Sequence, residues 1–146
     1  MKPRGFTLLE LLVTMAIVGI LTAIAWPGYG AILRRAQRDE ARLALLGIQY
    51  AEELRYQNLL AYGDRLAEPV ALGGLALADR SAGGSYALSV RLSGDGQHYT
   101  AIAEATAPGR QAGDHACRML SIDETGRRRS ADAAGNWSDD PRRCWQ

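Results

Sequence analysis

The chain has 146 residues, enough for one domain with a modest core and too few for two. Its 17 Lys and Arg stand against 16 Asp and Glu, and a net charge of +1 gives no global sign of a nucleic-acid binder or a highly charged tail. Charge is nevertheless segregated along the chain: residues 11–33 carry none, and Arg34, Arg35 and Arg38 follow at once.

The first residues are unlike an ordinary secretory signal. Lys2 and Arg4 form a basic start, but the small residue Gly5 comes before the apolar run, and no small-x-small site lies where that run ends at Ala25-Trp26-Pro27. Two readings remain. The segment is an uncleaved anchor with its basic end in the cytoplasm, or it is cut after Gly5 and keeps its apolar helix. The charge-free stretch of about 23 residues, at ~1.5 Å rise per residue, reaches across a ~30 Å hydrocarbon layer. Glu10 is the one charged residue at its start. A lone carboxylate in such a helix costs a few kcal/mol and calls for a partner, the alternative being a place near the headgroups at a frayed helix start, where the penalty is small.

The string Gly5-Phe6-Thr7-Leu8-Leu9-Glu10-Leu11-Leu12-Val13 resembles the leader junction of type IV prepilins and type II secretion pseudopilins. The resemblance implies that a prepilin peptidase cuts between Gly5 and Phe6, that the new Phe6 terminus is N-methylated, and that Glu10 is needed for assembly. It extends to Gly19 and Pro27, which fall where such pilins carry helix-weakening residues. On this reading residues 1–5 are a leader, residues 6–33 a transmembrane and filament-core helix, and residues 34–146 an amphipathic half-helix with a globular head. The Glu10 carboxylate of one subunit would neutralise the Phe6 ammonium of its neighbour. Such a buried pair selects an axial register, and head-to-tail contacts that do not close make a fibre.

A helical pattern resumes after Pro27 over residues 29–62, with Ile32, Ala36, Leu43, Leu46, Tyr50, Leu54 and Ala61 on one broad face. Arg35, Arg38, Arg42, Gln49, Glu52 and Gln57 lie largely around it. This predicts that the apolar stripe is core for the head. Residues 63–84, with Gly73-Gly74, Gly83-Gly84 and Pro69, read as a connector with a short helix or turn around residues 69–78. Alternation predicts strands over residues 85–92 and 98–106, joined by the turn Ser93-Gly94-Asp95-Gly96-Gln97 as a hairpin. A third strand is predicted over residues 118–123 and a short fourth over 127–130. The class is α+β, a long helix on an antiparallel sheet of three or four strands.

Cys117 and Cys144 are an even pair in a small exported part, read as a disulfide, with a pair of buried thiols as the alternative. The arrangement also resembles the pilin fold, in which this pair closes a C-terminal loop. Gly83-Gly84-Ser85-Tyr86, the Tyr-bearing strands and Cys144-Trp145 are most similar to PilE-type minor pilins of twitching bacteria.

Nothing points to an enzyme, a cofactor or a metal site. His98 and His115 lack ligand spacing with the cysteines, and no nucleophile elbow or phosphate-cradling loop is present. Arg127-Arg128-Arg129 with Arg142-Arg143 reads as a solvated surface, with a DNA- or acid-binding tip patch as the sharper alternative, so nucleic acid is not an expected partner. Asp132, Asp139 and Asp140 could donate to calcium, but not at the spacing of a known loop.

The function so implied is a structural minor pilin, inserted in the bacterial inner membrane as a precursor with its globular part periplasmic, then assembled into a surface pilus. It would support pilus assembly, twitching motility and attachment. Its partners would be other pilin subunits, the prepilin peptidase and the inner-membrane assembly platform. A type II secretion pseudopilin is the alternative within the resemblance, and a membrane-anchored periplasmic binding module the alternative outside it.

Overall fold

A computed structural model describes residues 6–146; Lys2, Arg4 and Gly5, with the rest of the expected leader, lie outside the described residues. Helix α1 covers Leu8–Leu59. The chain divides into two compact units, one ending at Leu33 and the other Arg34–Gln146.

In the second unit a five-stranded antiparallel meander follows the helix, in the order β1 (Tyr86–Leu92), β2 (Tyr99–Ala105), β3 (Met119–Asp123), β4 (Arg128–Ala131) and β5 (Trp137–Ser138). The α+β arrangement read from the sequence, a long helix with an antiparallel sheet, is borne out, with four strands close to their expected places. The fifth strand and the short helix α2 (Pro141–Cys144) were not expected. Two residues of strand and four of helix are too short to leave a periodic signal.

The register puts Tyr86 opposite Ala105, Leu88 opposite Ala103 and Val90 opposite Ala101, with Leu120 and Ile122 facing Ala103 and Ala101 from the other side. Every inward residue in the last three pairs of β2 is thus an alanine, and each is buried. The sheet is thin along its middle strand, which leaves room for the larger Leu45 and Ile48 of α1 in the same core.

The helix meets this core with an unexpected face. Ala41, Leu45, Ile48 and Glu52 are wholly buried, whereas Leu43 is 70% exposed, Tyr50 68% and Leu54 43%. At about 100° per residue, the expected stripe lies about half a turn from the one that is buried. The correction has a polar cause. Arg38 and Arg42, expected on the outer side, turn toward partners on the sheet side, of which Asp114 and Cys144 are buried. Arg38 grips Asp114 through two bonds of 2.6 and 2.8 Å, and Arg42 donates to the carbonyls of Cys144 (3.0 and 2.5 Å) and Gln146 (2.6 Å). Hydrophobic spacing picked out one apolar face, and the sheet takes the other.

The connector from α1 to β1 holds the 3-10 turn Val70–Leu72 where a turn was expected. Gly74 is required there, since a Cβ would sit 2.1 Å from the Glu68 carbonyl oxygen. The connector continues as residues 79–81, which bond along β1 (Ser81 N–H to Tyr86 O, 2.9 Å; Leu88 N–H to Asp79 O, 2.8 Å) and cover its free edge.

Cys117 and Cys144 are joined, with Cα atoms 5.8 Å apart. The bond closes a loop of 27 residues that contains β3, β4, β5 and α2. Replacing both cysteines by alanine is expected to remove about 3 to 4 kcal/mol in the chain-entropy account. Amide exchange should rise most in β5 and α2, while the β1–β2 hairpin keeps its protection. Equal loss of protection across all five strands would show that the bond supports the sheet as a whole.

Candidate assembly helix and arginine surface

In the first unit, Thr7 immediately precedes the helix and starts it. Its hydroxyl accepts the Glu10 N–H at 3.2 Å and its carbonyl accepts the Leu11 N–H at 3.2 Å. Thr7 is therefore an N-cap, and Thr7-Leu8-Leu9-Glu10 has the spacing of a capping box, a signal overlooked in the sequence. Glu10 sits in the first turn, where the helix dipole favours a carboxylate.

Further along, Thr14 and Thr22 return their hydroxyls to the Leu11 and Val18 carbonyls at 2.9 and 2.7 Å. Their polarity is met inside the helix, as an apolar surrounding requires. Every large apolar side chain from Leu8 to Ile24 stands half or more exposed. Glu10 is the only charge among them. Among the described residues no single helix is long and apolar enough to cross a membrane; Leu8–Ile24 passes that test only together with Gly28–Leu59. Gly19 and Pro27 both fall within α1, and a Cβ at Gly19 would meet nothing within 4 Å.

In the second unit, Asp114 is the hub of a buried network. Besides Arg38 it accepts the Gln111 side-chain amide at 2.7 Å, and Gln111 donates to the Tyr86 hydroxyl at 2.6 Å. Burial first, then the nearby Asp114 charge, outweighs that bond and pushes the Tyr86 hydroxyl up to about 12. Arg38, Asp114, Gln111 and Tyr86 thus join the helix, the β2–β3 crossing and β1. Sequence reading missed the network because, apart from the local Gln111–Asp114 bond, its partners lie 25 and 76 residues apart.

The arginine run forms a braced surface. Arg127 and Arg129 both reach Asp139, at 2.9 and 2.8 Å, the second as an ion pair without hydrogen-bond alignment. The Arg129 guanidinium lies 5.3 Å over Trp137, and Arg128 lies 5.4 Å over Trp145, whose indole N–H donates to the Arg129 carbonyl at 3.0 Å. Tryptophan faces attract guanidinium groups in this way. The aspartates weighed as calcium donors are occupied separately. Asp132 accepts the Ala134 and Asn136 N–H groups (2.9 and 3.0 Å), and the bond from Asn136 is the main cause of its lowered pKa. Asp140 accepts the Arg142 N–H at 2.9 Å.

Residues 1–26 match the family described as the prokaryotic N-terminal methylation motif. Residues 27–121 match the family described as type IV minor pilin ComP, DNA uptake sequence receptor. The chain is 41% identical over 61 residues to a fimbrial protein of Moraxella nonliquefaciens, covering 42% of this chain and 40% of that protein. It is 47% identical over 55 residues to the type IV major pilin protein PilE1 of Neisseria gonorrhoeae, covering 38% and 33%. These matches span less than half the length of either relative. A solved type IV pilin from Shewanella oneidensis aligns with a TM-score of 0.48 at 24% identity, over 77% of this chain and 98% of that one.

Replacing Arg38 by alanine leaves Asp114, only 4% exposed, without its cation. The expected cost is about 3 kcal/mol, and Asp114→Ala in the same background should add little, because the pair is lost once. Chemical denaturation of the four proteins of this cycle checks the coupling; additive losses would show that the two groups act independently.

Proposed function

Because the chain belongs to the family of the type IV minor pilin ComP, we propose that it is a minor structural subunit of a type IV pilus, assembled through α1. The observation that carries this reading is apolar surface the chain does not cover. Leu8–Ile24 is exposed along its length, and in the second unit Leu43, Leu46, Tyr50 and Leu54 face away from the core. Neighbouring helices or lipid would cover both.

Prepilin peptidase cleaves after Gly5, Phe6 becomes the methylated terminus, and Glu10 meets the Phe6 ammonium of the adjacent subunit. Gly19 and Pro27 weaken the helix so that it can unwind on assembly, Pro27 by removing a donor. Residues 1–5 leave with the leader, residues 6–33 anchor the precursor in the inner membrane, and residues 34–146 form the periplasmic head. The assembly platform then moves the subunit into a fibre that serves twitching and attachment. A pseudopilus subunit has the same processing but stays out of sheared surface fibres, and a plain periplasmic anchor keeps Met1.

A second reading is contact with DNA. Its support is the family description together with five arginines, Arg127, Arg128, Arg129, Arg142 and Arg143, interleaved with Trp137 and Trp145. Asp139 offsets two of them. This reading expects binding to duplex DNA that weakens steeply between ~50 and ~200 mM salt and falls with Arg128→Ala. Absence of binding at the lower salt removes it and leaves the structural reading intact.

The leading reading is tested in sheared fibres. Glu10→Ala should preserve synthesis, insertion and cleavage yet reduce incorporation by two or more orders of magnitude, since one half of a buried pair costs about 3 to 5 kcal/mol to leave alone. Tyr50→Glu should leave the head's unfolding midpoint nearly unchanged, because Tyr50 is 68% exposed, and also reduce incorporation. Normal incorporation of both variants would mean that neither the carboxylate nor the outer stripe takes part in assembly.

A further inference from the structure

Glu52 has no part in the function proposed above, yet its position is costly. It is wholly buried on the core face of α1, one carboxylate oxygen accepting the Gly63 N–H at 3.0 Å and the other having no partner. The Tyr99 hydroxyl, also buried, has none either. A buried carboxylate with one hydrogen bond is poorly satisfied, whereas a carboxyl group is much less penalised.

We propose that Glu52 is a proton-operated latch on the connector of residues 60–75: protonated, it lets the connector close over the core, and ionised, it favours an opened connector that admits water to the carboxylate.

The surroundings support this from every side. On α1, Glu53 opposes the charge and Arg55 attracts it. Arg55 donates through one terminal nitrogen to the Gly73 carbonyl at 2.7 Å, its buried Nε has no partner, and a Cβ at Gly63 would lie 2.8 Å from that Nε. On the connector, Asp64 opposes ionisation, and Tyr62 stacks on Tyr56 and meets Tyr99 edge-on, both at 4.7 Å. From β2, Tyr99 feels the charges of Glu52 and Glu53, and Glu124 after β3 acts on Tyr62 and Tyr99 alike. Burial is the largest influence on Glu52 and raises its pKa from the ordinary 4.5 to about 7.

The sign follows from which state holds the proton. The closed form keeps it up to about pH 7 and an opened one only to 4.5, so closure is most stable below pH 4.5, weakens as pH rises between the two values, and stays weak above 7. Besides the burial of Tyr62, Leu66 and Leu75 in the core, the connector is tied outward by Tyr62 N–H to Gly96 O and by the Gln97 side-chain amide to Leu60 O, both at 3.1 Å, while Leu75 and Leu77 N–H bond Arg65 and Leu66 O at 3.0 and 2.7 Å within the segment. Val70, Gly74 and Leu75 of the connector also form one wall of an apolar groove of about 480 Å³ against Leu54 and Leu59, so the latch governs the shape of that groove.

The test is amide exchange on the full chain in detergent micelles between pH 5 and 8.5, corrected for the intrinsic rate. Protection of Gly63, Leu75 and Leu77 should fall at least tenfold across this range while Ala103 and Ile122 in the sheet stay constant. Glu52→Gln, which cannot ionise, should abolish the dependence; Glu53→Gln and Asp64→Asn should keep it. A carboxyl carbon shift titration of Glu52 in the unaltered protein should give a midpoint near that of the protection loss, and it applies even should Glu52→Gln fail to fold. Protection independent of pH, or a Glu52 midpoint near 4.5, overturns the latch. A dependence that persists in Glu52→Gln assigns it to another group and overturns it equally.

Discussion

The two-pronged bond between Arg38 and Asp114 settles a choice that hydrophobicity leaves open. In the second unit α1 carries apolar side chains on opposite faces, Ala41, Leu45 and Ile48 on one and Leu43, Leu46 and Tyr50 on the other. Either could lie on a sheet. Of the two, the face with smaller aliphatic bulk is the one flanked by groups with buried partners: Arg38 for Asp114, Arg42 for the carbonyls of the tail, and Glu52 for the Gly63 N–H. Turning the helix by half a turn would orphan all three, at a few kcal/mol each, against a modest difference in apolar area. Polar pairing thus sets the rotation of α1 and leaves the Leu43 side free for another molecule.

The same logic closes the C-terminal end. Arg42 holds the Cys144 and Gln146 carbonyls, the disulfide fixes Cys144 to Cys117, and the Trp145 indole is bonded to β4. A two-residue β5 would be marginal by itself. Held at three points, the tail can cover the last edge of the sheet and brace the arginine run from the side. Arginine side chains on β4 are therefore set by the tail as much as by their own strand.

Legibility in the sequence followed the range of the signal. The β1–β2 hairpin and the third and fourth strands rest on local pattern, and their positions were readable within a residue or two. The C-terminal bond needed only the count and placement of two cysteines. By contrast, which face of α1 is buried depends on Asp114, 76 residues beyond Arg38, and nothing near the arginine announces it. Glu52 was misread for the same reason: on spacing alone a glutamate belongs to the solvent side, and only the returning Gly63 N–H makes its burial tolerable. The capping box at Thr7 was local and legible, but the leader reading had already given Glu10 a role.

Those two roles of Glu10 differ enough in size to be weighed. A carboxylate in the first turn gains about 0.3 to 1 kcal/mol from the helix dipole. Within an apolar surrounding it costs roughly 2.5 to 3.5 kcal/mol by insertion scales, and more by other measures. Capping therefore recovers a fraction of the penalty that residues 6–33 would impose on it in a membrane or a fibre core. The N-cap oxygen comes from Thr7 whatever occupies position 10, so a neutral residue would keep the cap bond and escape the penalty. Helix initiation alone favours an acid at this place by less than the burial penalty it would carry. In the proposed filament the remaining few kcal/mol would be met by a cation from outside the helix, the α-amino group that cleavage before Phe6 would expose.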